Sequence, residues 1–297
     1  MSDASNLTME GTTPFEYKGE TYETYYKVLG DLAARTEAPL VVLHGGPGLV
    51  HNYLLPLADI ATIHGNPVIL YDQLGNGRST HLRDKPAEFW TIDLFIAELE
   101  NLLVKLGIQD AFSLFGHSWG GILGAEFAVR KQPAGMRHLI LSNSLASFDL
   151  WLQSVGQLLQ PLPEEVHVGM AAGMMDRKKY REALRQFHAV HGCLVRPVPA
   201  EFDYAIDQSL GEEGDPTVAS VPLLMGWSIV DRLHLLRVPT FVINGRKDIS
   251  QDFVVAPFFQ GIRKVKWVTL ENSSHTPFYE ERELFMQLIA DFLKLEV

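Results

Sequence analysis

The feature that most constrains the fold is a set of short runs that are apolar almost throughout. Residues 39–44 (PLVVLH), 67–72 (PVILYD), 111–116 (AFSLFG) and 138–142 (HLILS) are such runs. Continuous apolar character, rather than alternation, predicts strands buried on both faces. Between them lie helical patterns. In residues 91–106 the apolar positions are Ile92, Phe95, Ile96, Leu99, Leu102, Leu103 and Leu106, with Thr91 placed as an N-cap and Gly107 just past the end. A second helix is expected from Trp119 toward Lys131, stopped by Pro133. Strands alternating with helices predict an α/β fold with a mainly parallel central sheet and helices on both faces. The Tyr- and Thr-rich run 21–29 reads as an extra strand in a leading antiparallel hairpin. After Ser144 the pattern changes: residues 145–236 carry helix-like segments, best at 150–159 and 177–190, and no clear buried strand. Strand patterns resume at 238–244 and 265–270, and an amphipathic helix over 281–295 closes the chain. The expected organisation is a sheet domain of residues 1–144 and 237–297, split by a helical insertion at 145–236.

Composition narrows the class of partner. The balance of 21% charged and 46% hydrophobic residues in a chain of 297 is that of an ordinary globular protein. Lys plus Arg number 25 and Asp plus Glu 36, a formal charge of −11. Such a surface repels phosphate backbones and anionic lipid, so no nucleic-acid or membrane partner is expected. The single cysteine, Cys193, cannot form an internal disulfide. No run of 18 apolar residues occurs and the first residues lack a signal-peptide pattern, so a cytoplasmic location is expected.

The chemistry concentrates in three loops. Gly116-His117-Ser118-Trp119-Gly120 lies between a predicted strand and a predicted helix. In a G-x-S-x-G turn of that kind the serine projects from the sheet edge and glycines let the backbone close around it. A serine hydroxyl needs a base to become nucleophilic, and the base an acid to orient it. His275 follows the strand ending near residue 270, and Asp248 follows the strand ending near 243, in the chain order Ser–Asp–His. Asp252 and Asp231 are the competing acids. His44-Gly45-Gly46-Pro47-Gly48 follows the strand 39–44, where a glycine-rich backbone can approach a substrate oxygen. The N–H groups of Gly46 and Trp119 are therefore assigned to an oxyanion hole, with Gly45 beside the substrate and His44 bonding the loop from beneath. Asp72 and Arg78, in Tyr71–Ser79, are read as a pair bracing the neighbouring loop. No histidine or cysteine spacing matches a metal site, and no Gly-Lys-Ser/Thr phosphate loop follows the glycines. No metal and no cofactor are expected.

Together, His44-Gly-Gly-Pro-Gly48, Asp72-Gln-Leu-Gly-Asn-Gly-Arg-Ser79 and Gly116-x-Ser-Trp-Gly-Gly121 resemble the proline iminopeptidase family of α/β-hydrolases. The run 71–82, with Phe89-Trp90-Thr91 after it, looks like the bacterial L-amino acid amidases of that family. The resemblance implies an α/β-hydrolase fold with a helical cap over the active site. It also implies catalysis by Ser118, Asp248 and His275 without metal, and a small-molecule or short peptide substrate cleaved at an amide bond.

The family grips a free amino group with two glutamates. Here the residue after Asp248 is Ile249, and the nearest counterpart of the family's cap segment, Gly214-Asp-Pro-Thr-Val218, has no glutamate at the expected place. Glu212, Glu213 and Asp215 are the available substitutes, and Trp227 belongs to an apolar segment, 218–227, that is expected beside the substrate. The same departure favours a second reading: a hydrolase or acyl-transfer enzyme for a neutral ester, lactone or amide. A third keeps the fold without catalysis, as a binding protein.

Overall fold

The computed structural model describes residues 8–295. Eight strands form one sheet: β1 (Thr8–Tyr17), β2 (Glu20–Leu29), β3 (Leu40–Leu43), β4 (Val68–Tyr71), β5 (Phe112–His117), β6 (Met136–Ser142), β7 (Thr240–Gly245) and β8 (Val265–Leu270). Their order is β1-β2-β4-β3-β5-β6-β7-β8. The hairpin β1–β2 and the pair β2–β4 are antiparallel, and the remaining neighbours are parallel. All residues of β3, β4, β5 and β7 are buried, as their unbroken apolar runs require.

This strand order positions the site. From β3 the chain first adds β4 on one side, then crosses to add β5 on the other. Loops leaving β3 and β5 therefore diverge at neighbouring strand ends, the crevice where open α/β sheets bind ligands.

Each face of the sheet carries a core. On one, helices Ile92–Lys105, Trp119–Lys131 and Asp252–Gly261 pack Phe95, Leu99, Ile122 and Phe258 against the strands. On the other, Ala58–His64 and Arg282–Leu293 do the same through Ile60, Phe285 and Ile289. The Thr91 hydroxyl caps its helix by accepting from the Leu94 N–H at 3.2 Å. Helix Trp119–Lys131 ends on Gln132 in a left-handed conformation (φ 45°), immediately before Pro133. The first strand after the insertion begins at Thr240 rather than 238, because Pro239 has no N–H to give a ladder.

Four helices longer than two turns lie between β6 and β7: Phe148–Leu159, Glu164–Ala172, Arg177–His191 and Ala200–Leu210. The second and fourth were not expected. Ala200–Leu210 buries Phe202, Ala205, Ile206, Ser209 and Leu210, a regular helical spacing hidden by the flanking Pro199 and Gly211. Glu164–Ala172 buries only Val166 and Gly169, so it has almost no periodicity to read.

Candidate active site

Ser118 sits one residue beyond β5 and one before helix Trp119–Lys131, with φ 53° and ψ −118°. That conformation is strained for any residue but glycine. The helix start beside it packs tightly against the glycine loop: a Cβ at Gly120 would strike the carbonyl oxygens of Leu43 and His44. The Ser118 N–H donates to the Ser142 carbonyl at 3.0 Å, and its own carbonyl accepts from the Ser144 hydroxyl at 2.8 Å. The turn is thereby fixed to the end of β6.

The structure brings His275 and Asp248 together. His275 Nδ1 lies 2.6 Å from Asp248 Oδ1. Asp248 is fully buried, and its carboxylate also accepts from Asn143 Nδ2 at 2.6 Å and from the Ser250 N–H at 2.9 Å. A carboxylate placed there accepts a hydrogen bond from Nδ1–H, which leaves Nε2 unprotonated and able to act as the base. Ser118 and His275 line one cavity. The competing acids are engaged elsewhere or exposed: Asp252 accepts from Asn244 and Arg246, and Asp231 lies on the surface.

Gly46 adopts φ 119°, which only glycine takes without strain. Among the described residues neither its N–H nor that of Trp119 meets a protein acceptor. Behind them runs an ordered chain. The Gly45 N–H donates to the Tyr53 hydroxyl at 2.7 Å, and that hydroxyl lies 2.8 Å from His117 Nδ1. His117 Nε2 lies 2.7 Å from the His275 carbonyl oxygen. Carbonyl oxygen only accepts, so Nε2 carries the proton and Tyr53 donates to Nδ1. Burial, with His275 nearby, holds His117 well below the usual histidine range, so it stays neutral. One chain of hydrogen bonds thus ties the glycine loop after β3, the serine turn after β5 and the histidine loop after β8.

His44 supports the glycine loop as expected. Its Nδ1 lies 2.9 Å from the Gly45 carbonyl, and its Nε2 accepts from the Gln73 N–H at 3.0 Å. Burial pushes it down to about 4, which suits the accepting nitrogen. Asp72 and Arg78 do meet, but through the Arg78 backbone N–H at 3.0 Å. The guanidinium turns instead to Glu10 at 3.1 Å and to the Tyr25 hydroxyl at 2.8 Å, because His51 already occupies Asp72.

The cavity encloses about 1020 Å³ of empty space, part of it open to solvent. Gly46, Pro47, Ser118 and His275 form one side, and Trp151, Met170, Met174, Leu184 and Phe187 of the inserted helices contribute the other. None of the five other residues expected beside the substrate lines it. Gly45 is buried behind the loop, with its N–H held by Tyr53. Glu212 and Glu213 are exposed. Asp215 is turned inward to Thr217, His81 and Arg83, and the Trp227 indole donates to buried Glu126 at 2.8 Å. Ile249 does line the cavity, as do His188, Tyr53 and Phe202, which sequence patterns did not single out. Asn143 was missed too; the only signal in the sequence is its residue type, since Asn tolerates the positive φ (52°) that it adopts. Among the described residues no group of three or more His, Cys, Asp or Glu side chains is placed to hold a metal, and no helix is long and apolar enough to cross a membrane.

Comparison with known proteins places this geometry in a family. The α/β-hydrolase fold family matches residues 38–282. The proline iminopeptidase of Clostridioides difficile (strain 630) is 33% identical, over 96% of this chain and 97% of its own length. That of Lactobacillus delbrueckii subsp. bulgaricus is 32% identical, over 92% and 94%. Among solved structures, VinJ shares 41% identity with a TM-score of 0.87, covering 96% of this chain and 98% of its own. The Mycobacterium smegmatis proline iminopeptidase shares 36% with a TM-score of 0.81, covering 95% and 97%. With a serine at the strained turn and a histidine–aspartate pair on the neighbouring strand ends, the chain belongs to the proline iminopeptidase family of α/β-hydrolases and is a serine hydrolase.

Proposed function

We propose that the enzyme cleaves amide bonds of a small molecule or short peptide through an acyl-enzyme. His275 Nε2 takes the Ser118 proton as Oγ attacks the scissile carbonyl carbon, and Asp248 stabilises the imidazolium. The N–H groups of Gly46 and Trp119 hold the oxyanion. His275 then gives its proton to the leaving nitrogen as the C–N bond breaks, and water, activated by the same imidazole, releases the acid. Residues 145–236 act as a cap that shapes the acyl site. A buried, unpaired Cys193 fits a cytoplasmic setting. The observation that carries this reading is the 2.6 Å contact of His275 with Asp248 on a cavity wall shared with Ser118.

The test is a panel of proline and leucine p-nitroanilides, free and N-acetylated, assayed with wild type and Ser118→Ala. Turnover of at least one by the wild type, falling about 10⁶-fold in the variant, is expected. No turnover of any member removes amide hydrolysis.

A further inference from the structure

The wall of the catalytic cavity carries no negative charge. Among the described residues that line it there is no aspartate or glutamate; its polar side chains are hydroxyls and imidazoles, including Tyr180, Ser209 and His188. The acids closest in sequence are committed. Asp248 is saturated by His275, Asn143 and Ser250, and the residue after it, which faces the cavity, is Ile249. Asp215 is turned away into contacts with His81 and Arg83.

A substrate with a free amino group next to its scissile carbonyl carries an ammonium at neutral pH, since α-amino groups titrate near about 7.7–8.0. Taking that charge out of water without a paired carboxylate is costly. The wall already treats one of its own bases this way: burial and the neighbouring His275 push His188 down to about 3, and its buried Nδ1 has no protein partner among the described residues. Apolar, unbranched Met170 and Met174 instead offer an adaptable surface to an uncharged chain.

We propose that the substrate is an amide whose acyl part is apolar and uncharged beside the scissile bond, such as an N-acylated aminoacyl group, and that the cavity discriminates against a free α-ammonium. The proposal rests on the amide-hydrolysis reading above.

The experiment compares leucine p-nitroanilide with N-acetyl-leucine p-nitroanilide on the full-length enzyme. At pH 7 the acetylated substrate is expected to have a kcat/KM several-fold, up to about ten-fold, above the free one, because only roughly a tenth of the free amine is uncharged there. That ratio should shrink as pH rises past about 8, where the free amine loses its proton, while an acetylated substrate has none to lose. Ile249→Glu, which sets a carboxylate on the wall, should narrow the ratio at neutral pH. If that variant does not fold, the wild-type pH series decides alone. A wild type that prefers the free amine at neutral pH, or a ratio that does not change with pH, overturns the proposal and leaves amide hydrolysis standing. Failure to cleave either anilide, while the other members of the panel are also inert, sinks the amide reading itself.

Discussion

The two sides of the catalytic cavity are built on opposite rules. The side formed by strand-end loops is held by directed bonds. Ser118, Asn143 and Gly46 all sit at positive φ, and Asp248, His117 and Tyr53 each have defined partners. The side formed by the inserted helices meets the cavity mainly through apolar side chains: Trp151, Met170, Met174, Leu184 and Phe187 make contacts without direction. Directed bonds fix where a proton or an oxyanion goes, and a small displacement there changes the chemistry. Apolar packing fixes only which volume fits, and tolerates exchange of one side chain for another of similar size. On the proposed mechanism, reaction and selection fall to different parts of the chain.

Asp248 is where that contrast is sharpest. Asp248→Asn keeps the volume but replaces one acceptor by an amide N–H, which must face either the His275 Nδ1–H or an N–H of its other donors. The imidazole then turns to the wrong tautomer, and kcat should fall about 10⁴-fold. Steady-state kinetics on any panel substrate checks this, and a loss below ten-fold would show that the directed side is not the rigid one.

Tyr53→Phe is the intermediate case. It removes the hydroxyl between Gly45 and His117 and leaves two buried polar groups unpaired, a cost of about 1–3 kcal/mol in stability, measurable by urea unfolding. If the chain positions the oxyanion loop and the histidine loop, kcat should also fall about ten-fold with KM little changed, because the loss is felt in the transition state. A drop in stability alone would make Tyr53 a packing residue.

The smallest effect is expected on the opposite side. Leu184→Ala enlarges the acyl site without touching a directed bond. KM should shift by about three-fold, in a direction that depends on acyl size, while kcat stays within about two-fold, as for loss of uniform binding. A large kcat effect would mean that the helical side also aligns the reacting atoms.

What sequence revealed follows the same division. β3, β5 and the loops after them were legible because a buried strand and a glycine-rich turn are written in consecutive residues. Ser118, Asp248 and His275 could be picked out for the same reason: each stands just beyond a readable strand. Tyr53 and Asn143 could not, since their partners lie 64 and 105 positions away and meet them only through the sheet topology. Asp215 looked like a free acid until its loop was seen to fold onto His81, which lies 134 positions earlier. The acyl site was the least legible of all, because the packing of the inserted helices, not any local motif, decides which apolar side chains reach it.

The strained backbone of Ser118 carries one more consequence. A residue held in such a conformation costs on the order of 1–3 kcal/mol, which glycine would recover. A lineage selected only for thermal endurance would therefore drift away from serine at position 118. The proposed nucleophile thus stands at a lasting local penalty, at a position where relaxing to glycine would remove the hydroxyl itself.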